Sequence, residues 1–390
     1  MDFSSLVDLQ FEYMVKMRRL LHCTAELSGE EFQTAKIIEN ALCEIGIEHC
    51  RMGHGQGIVA TLCGAKEGRT IALRADMDAL PLAEKTACAF ASKTKGVMHA
   101  CGHDAHMAIA LGCARAIASV RDTLAGNVKF IFQPAEETDG GAEDMINAGA
   151  LENPRVERVI GGHVMPDYET GTIMLRHGAI MAAPDDFSIR IIGRGGHGAY
   201  PHKCVNPIIA ASALVLEIEK IAVADFGEHF ALSCCVINSN TSTWNLIPDS
   251  VLLGGTARSL SERVRTELES ILRVKSEEIA QEFGVQAEFS FRRYFPPTIS
   301  DDKAVDEFML SAKRAIGENN VICGDSPSMA GEDFSYYALA VPSVFIHIGC
   351  ADTARGIKHV LHSPLFELDE RCLRVGAKCY CAHIFDFLSQ

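Results

Sequence analysis

The first 180 residues alternate short apolar runs with stretches of helical spacing. Ile71-Ala72-Leu73, Val128-Lys129-Phe130-Ile131-Phe132 and Val159-Ile160 read as strands. Between the first two, Met107, Leu111, Ala114 and Ile117 recur at helical intervals, which predicts a helix from Ala105 to Val120 with Asp104 as its cap. Near the C-terminus, Val341 to Ile346 repeats the strand pattern. This alternation predicts an α/β layer architecture around a mixed, largely parallel sheet.

The middle of the chain has a different rhythm. Apolar and polar residues alternate from Asp186 to Ile192, as in a half-buried strand. Val205 to Ala222 is helical, Phe230 to Ile237 and Ser250 to Ala257 read as strands, and Ser261 caps a long helix ending at Phe283. Val285 to Arg292 is a closing strand. The order β-α-β-β-α-β is that of the split βαβ sandwich. It predicts an inserted domain over 183–294, with Pro184 at one boundary and Pro296 and Pro297 at the other. Residues 1–182 and 295–390 then form one discontinuous domain.

At 390 residues the chain is too long for one ordinary core, which agrees with two domains. The charge balance, 36 basic against 51 acidic residues, argues against binding nucleic acid or an anionic membrane surface. No apolar run approaches the ~20 residues of a membrane span. The 15 cysteines are odd in number and lack framework spacing, and the start MDFSS does not read as a signal peptide. Together these point to a cytoplasmic protein with free thiols.

The polar residues that follow the apolar runs carry the candidate chemistry. Asp76 and Asp78 follow the first, Glu136 and Glu137 the second, and His163 the third. His347 follows the C-terminal run and His362 lies in a loop beyond it. Open α/β sheets bind ligands at the carboxyl ends of their strands, so these side chains should converge on one edge. The densest segment is MHACGHD, 98–104. Gly102 lets the backbone bend so that Cys101 and His103 can face a common centre. Thiolate and neutral imidazole are ligands for a borderline-soft ion such as zinc. Taken alone, the segment could equally be a buried Cys beside a satisfied core His, and Glu136-Glu137 a solvated turn. The convergence of several strand ends is what favours a site.

The blocks RADMDALP (74–81), MHACGHD (98–104), FQPAEE (132–137), GGHGAYPH (195–202) and AGEDF (330–334) resemble the M20 metallopeptidase family. The match is to its amidohydrolase branch, which comprises hippurate hydrolases and N-acyl- or indole-acetyl-amino-acid amidohydrolases. The resemblance implies a zinc-peptidase-like catalytic domain with an inserted ferredoxin-like lid or dimerisation domain. It implies metal ligands at Cys101, His103, Glu137, His163 and His362, a set that suits two divalent ions. These would be zinc or manganese, with cobalt or nickel as alternatives. Glu136 matches the general base, and Asp78 would orient a metal-bound imidazole. His197 matches a residue that stabilises the oxyanion, and Asn245 a substrate-contacting amide. Arg258 offers a planar fork for a substrate carboxylate. The plainer readings are a turn His, a turn-forming Asn and a surface Arg.

Two departures stand out. The wider superfamily has His-x-Asp where this chain has Asp76-Met77-Asp78, which removes a usual ligand. The branch carries His-x-His-Pro-Glu-Leu-Ser near its start, where this chain reads His22-Cys23-Thr24-Ala25-Glu26-Leu27-Ser28. The expected activity is metal-dependent hydrolysis of the amide of an N-acyl-amino acid, acetyl, benzoyl or similar, by a homodimer. A dipeptidase of the same family is the alternative. A catalytically inactive binding protein is a third reading, against which the intact ligands and Glu136 count.

Overall fold

A computed structural model describes residues 3–53, 55–138, 140–221, 226–324 and 326–389. The chain divides into two compact units. One comprises Met1–Ile180, Ile299–Ser326 and Asp333–Gln390, and the other Met181–Thr298 with Pro327–Glu332. The second unit thus takes in a short return segment, 327–332, which the sequence pattern assigns to 295–390.

The first unit is built on an eight-stranded mixed sheet. Its four central strands are Ala125–Gln133, Lys66–Asp76, Arg158–Glu169 and Ser343–Ala351, and they run parallel. Strands of this kind are covered on both faces, which explains their near-continuous apolar runs. Even Lys129 is buried, its amine donating to the carbonyl of Ala150 at 3.2 Å. Antiparallel strands Gly57–Cys63 and Ile173–Leu175 flank the parallel centre. The helices His103–Ala118 and Arg371–Leu388 bury most of their residues in the same core.

Three local expectations are corrected here. The helix predicted from Ala105 begins at His103, with Gly102 rather than Asp104 at the cap position. Gly102 has φ +85°, and a β-carbon there would lie 2.3 Å from Cγ2 of Val164, so only glycine fits this turn. Asp104 lies inside the first turn, where its Oδ1 accepts from the Ala105 N–H at 2.9 Å while its Oδ2 is held by the buried Arg18 and His22. His163 and His347 sit within their strands instead of after them, paired in register, because both strands continue pleated beyond the apolar run.

The second unit is a four-stranded antiparallel sheet in the order Phe230–Asn238, Ser250–Ser259, Ala183–Ile192, Gln286–Arg293. Helices Pro207–Ile218 and Glu262–Phe283 supply Leu214, Leu272 and Ile279 to a core with Phe187, Ile189 and Val251. Ser261 caps the longer helix by accepting from the Val264 N–H, and Gly284 closes it in the left-handed conformation. The shorter helix starts at Pro207 behind an Asn206 cap and ends at Ile218. It is shorter than its apolar pattern, whose last residue, Ala222, lies outside the described residues. No described helix is long and apolar enough to cross a membrane.

Candidate metal centre

Four stretches of the first unit deliver donor atoms to one place. Cys101 precedes the buried helix and His103 opens it, while His163 comes from the central strand. Glu136 and Glu137 follow the Ala125–Gln133 strand, and His362 comes from a loop whose backbone N–H donates to Ala100 O at 2.9 Å. Cys101 Sγ lies 3.2 Å from His163 Nε2 and 3.2 Å from His362 Nε2. Glu137 Oε1 lies 3.3 Å from His362 Nε2 and 3.9 Å from His103 Nε2. Cys101, His103 and His163 form one trio of mutually close donors, and Cys101, Glu137 and His362 form another. Glu136 clusters with His103 and Glu137.

The donors fit a divalent ion. His103 Nε2 and Glu137 Oε1 are buried with no hydrogen-bond partner, and they face each other across the gap the trios surround. A buried polar atom left unpaired is costly unless something else satisfies it, and a cation would satisfy both. Five donors of thiolate, imidazole and carboxylate type exceed one tetrahedral shell.

Several of the donors are held from behind. His103 Nδ1 faces Asp78 Oδ1 at 3.2 Å. Asp78 Oδ2 accepts from Ser28 Oγ at 2.6 Å and from the Glu137 N–H at 3.0 Å. One carboxylate therefore orients both an imidazole and the Glu136-Glu137 turn. Ala135, which opens that turn, has φ +55°, and His362 has φ +60°. Such values are uncommon for residues with a β-carbon. Ala135 N–H donates to Glu31 Oε1 at 2.9 Å, and burial pushes the Glu31 carboxyl up to about 7.

His163 is fixed by a longer chain of contacts. Its Nδ1 lies 2.7 Å from Val164 O, which leaves Nε2 toward Cys101. Val164 N–H donates to His106 Nε2 at 2.9 Å, so His106 carries its proton on Nδ1, 2.6 Å from Asp76 Oδ1. Arg74 then joins Asp76 Oδ2 at 2.6 Å to Asp333 Oδ1 at 2.7 Å. Gln133 binds the same Arg74 and Asp333, and all of these side chains are buried. Asp76, where the superfamily ligand is missing, thus serves as an anchor for His106. Sequence reasoning missed His106, Arg74 and Asp333. His106 follows His103 by three residues on one helix, and that spacing was the available signal.

The electrostatics follow from burial among acids. Burial alone would lower the His103 pKa, but Asp76, Asp78 and Glu137 outweigh it and push it up to about 10. Burial and the nearby His106 and His103 hold His163 well below the usual imidazole range, so its Nε2 lone pair is available at neutral pH. Burial, with Glu137 and Glu136 beside it, raises the Cys101 thiol. A divalent ion reverses that last preference, because a coordinating thiol loses its proton.

The altered N-terminal loop has defined tasks. His22 Nδ1 and Arg18 Nε both lie 2.8 Å from Asp104 Oδ2. Glu26 accepts from Thr34 N–H at 2.8 Å at the start of helix Phe32–Ile45, and Ser28 supports Asp78.

His197, Asn245 and Arg258 belong to the second unit. His197 lies in a two-residue strand, Gly196–His197, paired with Leu246–Ile247, and Gly198 N–H donates to Asn245 O at 2.7 Å. The two loops are thus held side by side. Ala199 N–H donates to His197 Nδ1 at 3.1 Å, which puts the ring proton on the exposed Nε2. Arg258 is half-buried on the Ser250–Ser259 strand, with no ion-pair partner among the described residues. Met165, Met174 and Met181 are buried and read as core.

Comparison with known proteins gives four further findings. The pattern of Peptidase family M20/M25/M40 matches residues 72–386. N-acetyl-L-cysteine deacetylase of Bacillus subtilis (strain 168) is 38% identical over 362 residues, 92% of this chain and 84% of that protein. Thermostable carboxypeptidase 1 of Saccharolobus solfataricus is 36% identical over 372 residues, 94% of this chain and 93% of that one. The crystal structure of a dinuclear metal-binding peptidase of the M20 family from Bacillus subtilis superposes with a TM-score of 0.84. It is 34% identical, covering 98% of this chain and 99% of that one.

Proposed function

This chain belongs to peptidase family M20/M25/M40 and is a metal-dependent hydrolase. From that premise we propose that it hydrolyses the amide bond of an N-acyl-amino acid, releasing the free amino acid and a carboxylic acid. The observation that carries the reading is the convergence of Cys101, His103, Glu137, His163 and His362 beside Glu136. Two divalent ions held by these ligands would polarise the scissile carbonyl and lower the pKa of the attacking water. Thiolate and imidazole favour zinc, while manganese, cobalt and nickel suit the carboxylate and imidazole donors. Cys101 is common to both trios and would be among the ligands that hold the ions.

Glu136 takes the proton from the attacking water and delivers it to the leaving amine. Asp78 keeps the His103 tautomer fixed and holds the Glu136-Glu137 turn. His197, with its proton on Nε2, donates to the developing oxyanion. Asn245 contacts the substrate, and Arg258 grips its free carboxylate.

The deacetylase relative supports an acyl-amino acid substrate. The carboxypeptidase relative favours a second reading, a dipeptide as substrate, because the same groups cut a peptide bond. We place the working form as a homodimer in the cytoplasm. In support, Ile208, Ile209 and Leu216 on one helix, and Val236 and Ile237 on the edge strand, expose apolar side chains. All 15 cysteines are free.

The test is a hydrolysis panel of acetyl-, benzoyl- and aminoacyl-amino acids, with metal content measured on the same sample. Turnover of acyl-amino acids that disappears on chelation and returns with added ion is expected. Turnover of aminoacyl substrates alone would establish the dipeptidase. Full activity in metal-stripped protein would overturn both.

A further inference from the structure

We propose that His22, Glu84 and Cys88 form a third divalent-cation site, separate from the centre described above and suited to zinc. The three residues share no ligand with that centre. His22 Nε2 lies 3.4 Å from Glu84 Oε1, and Cys88 Sγ lies 3.5 Å from the same oxygen. All three donor atoms lie within 4.8 Å of one another. Around a tetrahedral zinc ion with bonds of ~2.0–2.3 Å, neighbouring donors sit roughly 3.3–3.6 Å apart. The two spacings to Glu84 Oε1 are therefore those of edges of such a tetrahedron.

Two of the donors are also held as ligands are held. The His22 side chain is 2% exposed, and its Nδ1 lies 2.8 Å from Asp104 Oδ2. This carboxylate–imidazole arrangement fixes the ring with Nε2 toward the ion, the usual support of a metal-binding histidine. Arg18 balances the charge of Asp104, so the carboxylate can accept from His22 without itself needing a second cation. Glu84 is pinned through its other oxygen, which accepts from the Ser92 N–H at 2.7 Å. Thr86 Oγ1 lies 3.3 Å from Cys88 Sγ and also contacts Glu84.

An entry path is present. His22, Glu84, Thr86 and Cys88 line a cavity of about 360 Å³ that also reaches Phe90 and Phe366. The cavity has room for a water as fourth ligand, the completion a three-residue zinc site requires. One sulfur, one nitrogen and one oxygen donor select zinc, cobalt or another borderline-soft ion over magnesium or calcium.

Cobalt(II) is the probe. Full-length protein is stripped with chelator, reloaded with cobalt and freed of excess, then assayed for ions per chain and for thiolate-to-cobalt charge-transfer absorption. C88S is expected to retain one ion fewer than the unsubstituted protein and to lose part of that absorption. C101S is expected to lose a different share and keep the part due to Cys88. Glu84→Gln serves as a second variant that leaves the thiol in place, and it too should lose one ion. Unchanged ion count and absorption in folded C88S would overturn the proposal, leaving His22 as an imidazolium bridging two carboxylates. If instead C101S alone leaves the absorption unchanged, the centre at Cys101 fails while this one stands.

Discussion

His106 and His163 hold the backbone of one residue, Val164, through the two peptide groups that flank it. The Val164 N–H donates to His106 Nε2 at 2.9 Å, and the Val164 carbonyl lies 2.7 Å from His163 Nδ1. A metal donor is therefore aimed by a second histidine that never touches its ring nitrogens.

Replacing His106 should loosen the metal at the Cys101–His163 side. Loss of an outer partner of this kind typically weakens metal binding about 10–100-fold. His106→Ala should show that loss in chelator competition. His106→Gln, whose side-chain oxygen can still accept from Val164, should recover part of it. Equal affinity in the alanine variant and the parent would remove His106 from this role.

Glu136→Gln should keep fold and metal and lose catalysis, because an amide cannot carry the proton. General-base loss costs roughly 10²–10⁴-fold. Turnover within a few-fold of the parent on the best panel substrate, at unchanged metal content, would show that another group is the base.

Metal affinity should fall as pH falls. Burial, with Glu137 and Glu136, raises the Cys101 thiol above its ordinary value, and the acids around His103 push it up to about 10. Both groups are therefore protonated near neutrality and must release a proton to bind metal. The dissociation constant should rise by about tenfold per pH unit for each proton released. C101S should show a shallower slope. A flat profile in the parent would mean that neither proton is displaced.

His197 is tested by complementation between copies. His197→Ala and Glu136→Gln should each be inactive alone, since one oxyanion donor is worth about 10²–10³-fold in kcat. Mixed under subunit exchange, they should regenerate activity if His197 serves the partner's metals. Heterodimers that form and stay inactive would mean that His197 works within its own chain or not at all.

The sequence carried the parts of the site that are local. Cys101, Gly102 and His103 are adjacent, and the turn that presents them needs only glycine's freedom. The strand-end carboxylates Asp76 and Asp78 were visible because the apolar run before them stops. What the sequence withheld are pairings between distant positions. Arg74 and Asp333 are 259 residues apart, and His22 and Asp104 are 82 apart. Neither partner announces the other, because a buried ion pair leaves no periodicity. The same holds for His163 and His347, whose place inside a strand depends on neighbouring strands that extend the ladder. The position of Asp104 was hidden for a related reason, since one of its oxygens is held by Arg18 and His22, which lie far off in the chain.

Ala135 and His362 hold left-handed backbone at the two turns that present Glu136, Glu137 and His362 itself. A residue with a β-carbon there carries a cost of order 1–3 kcal/mol, sustained only because the surrounding fold insists on it. Endurance and turnover therefore pull in opposite directions at these positions. Variants selected for heat resistance can draw on replacements that relieve this backbone. Any that relaxed position 135 or 362 would melt later and work more slowly.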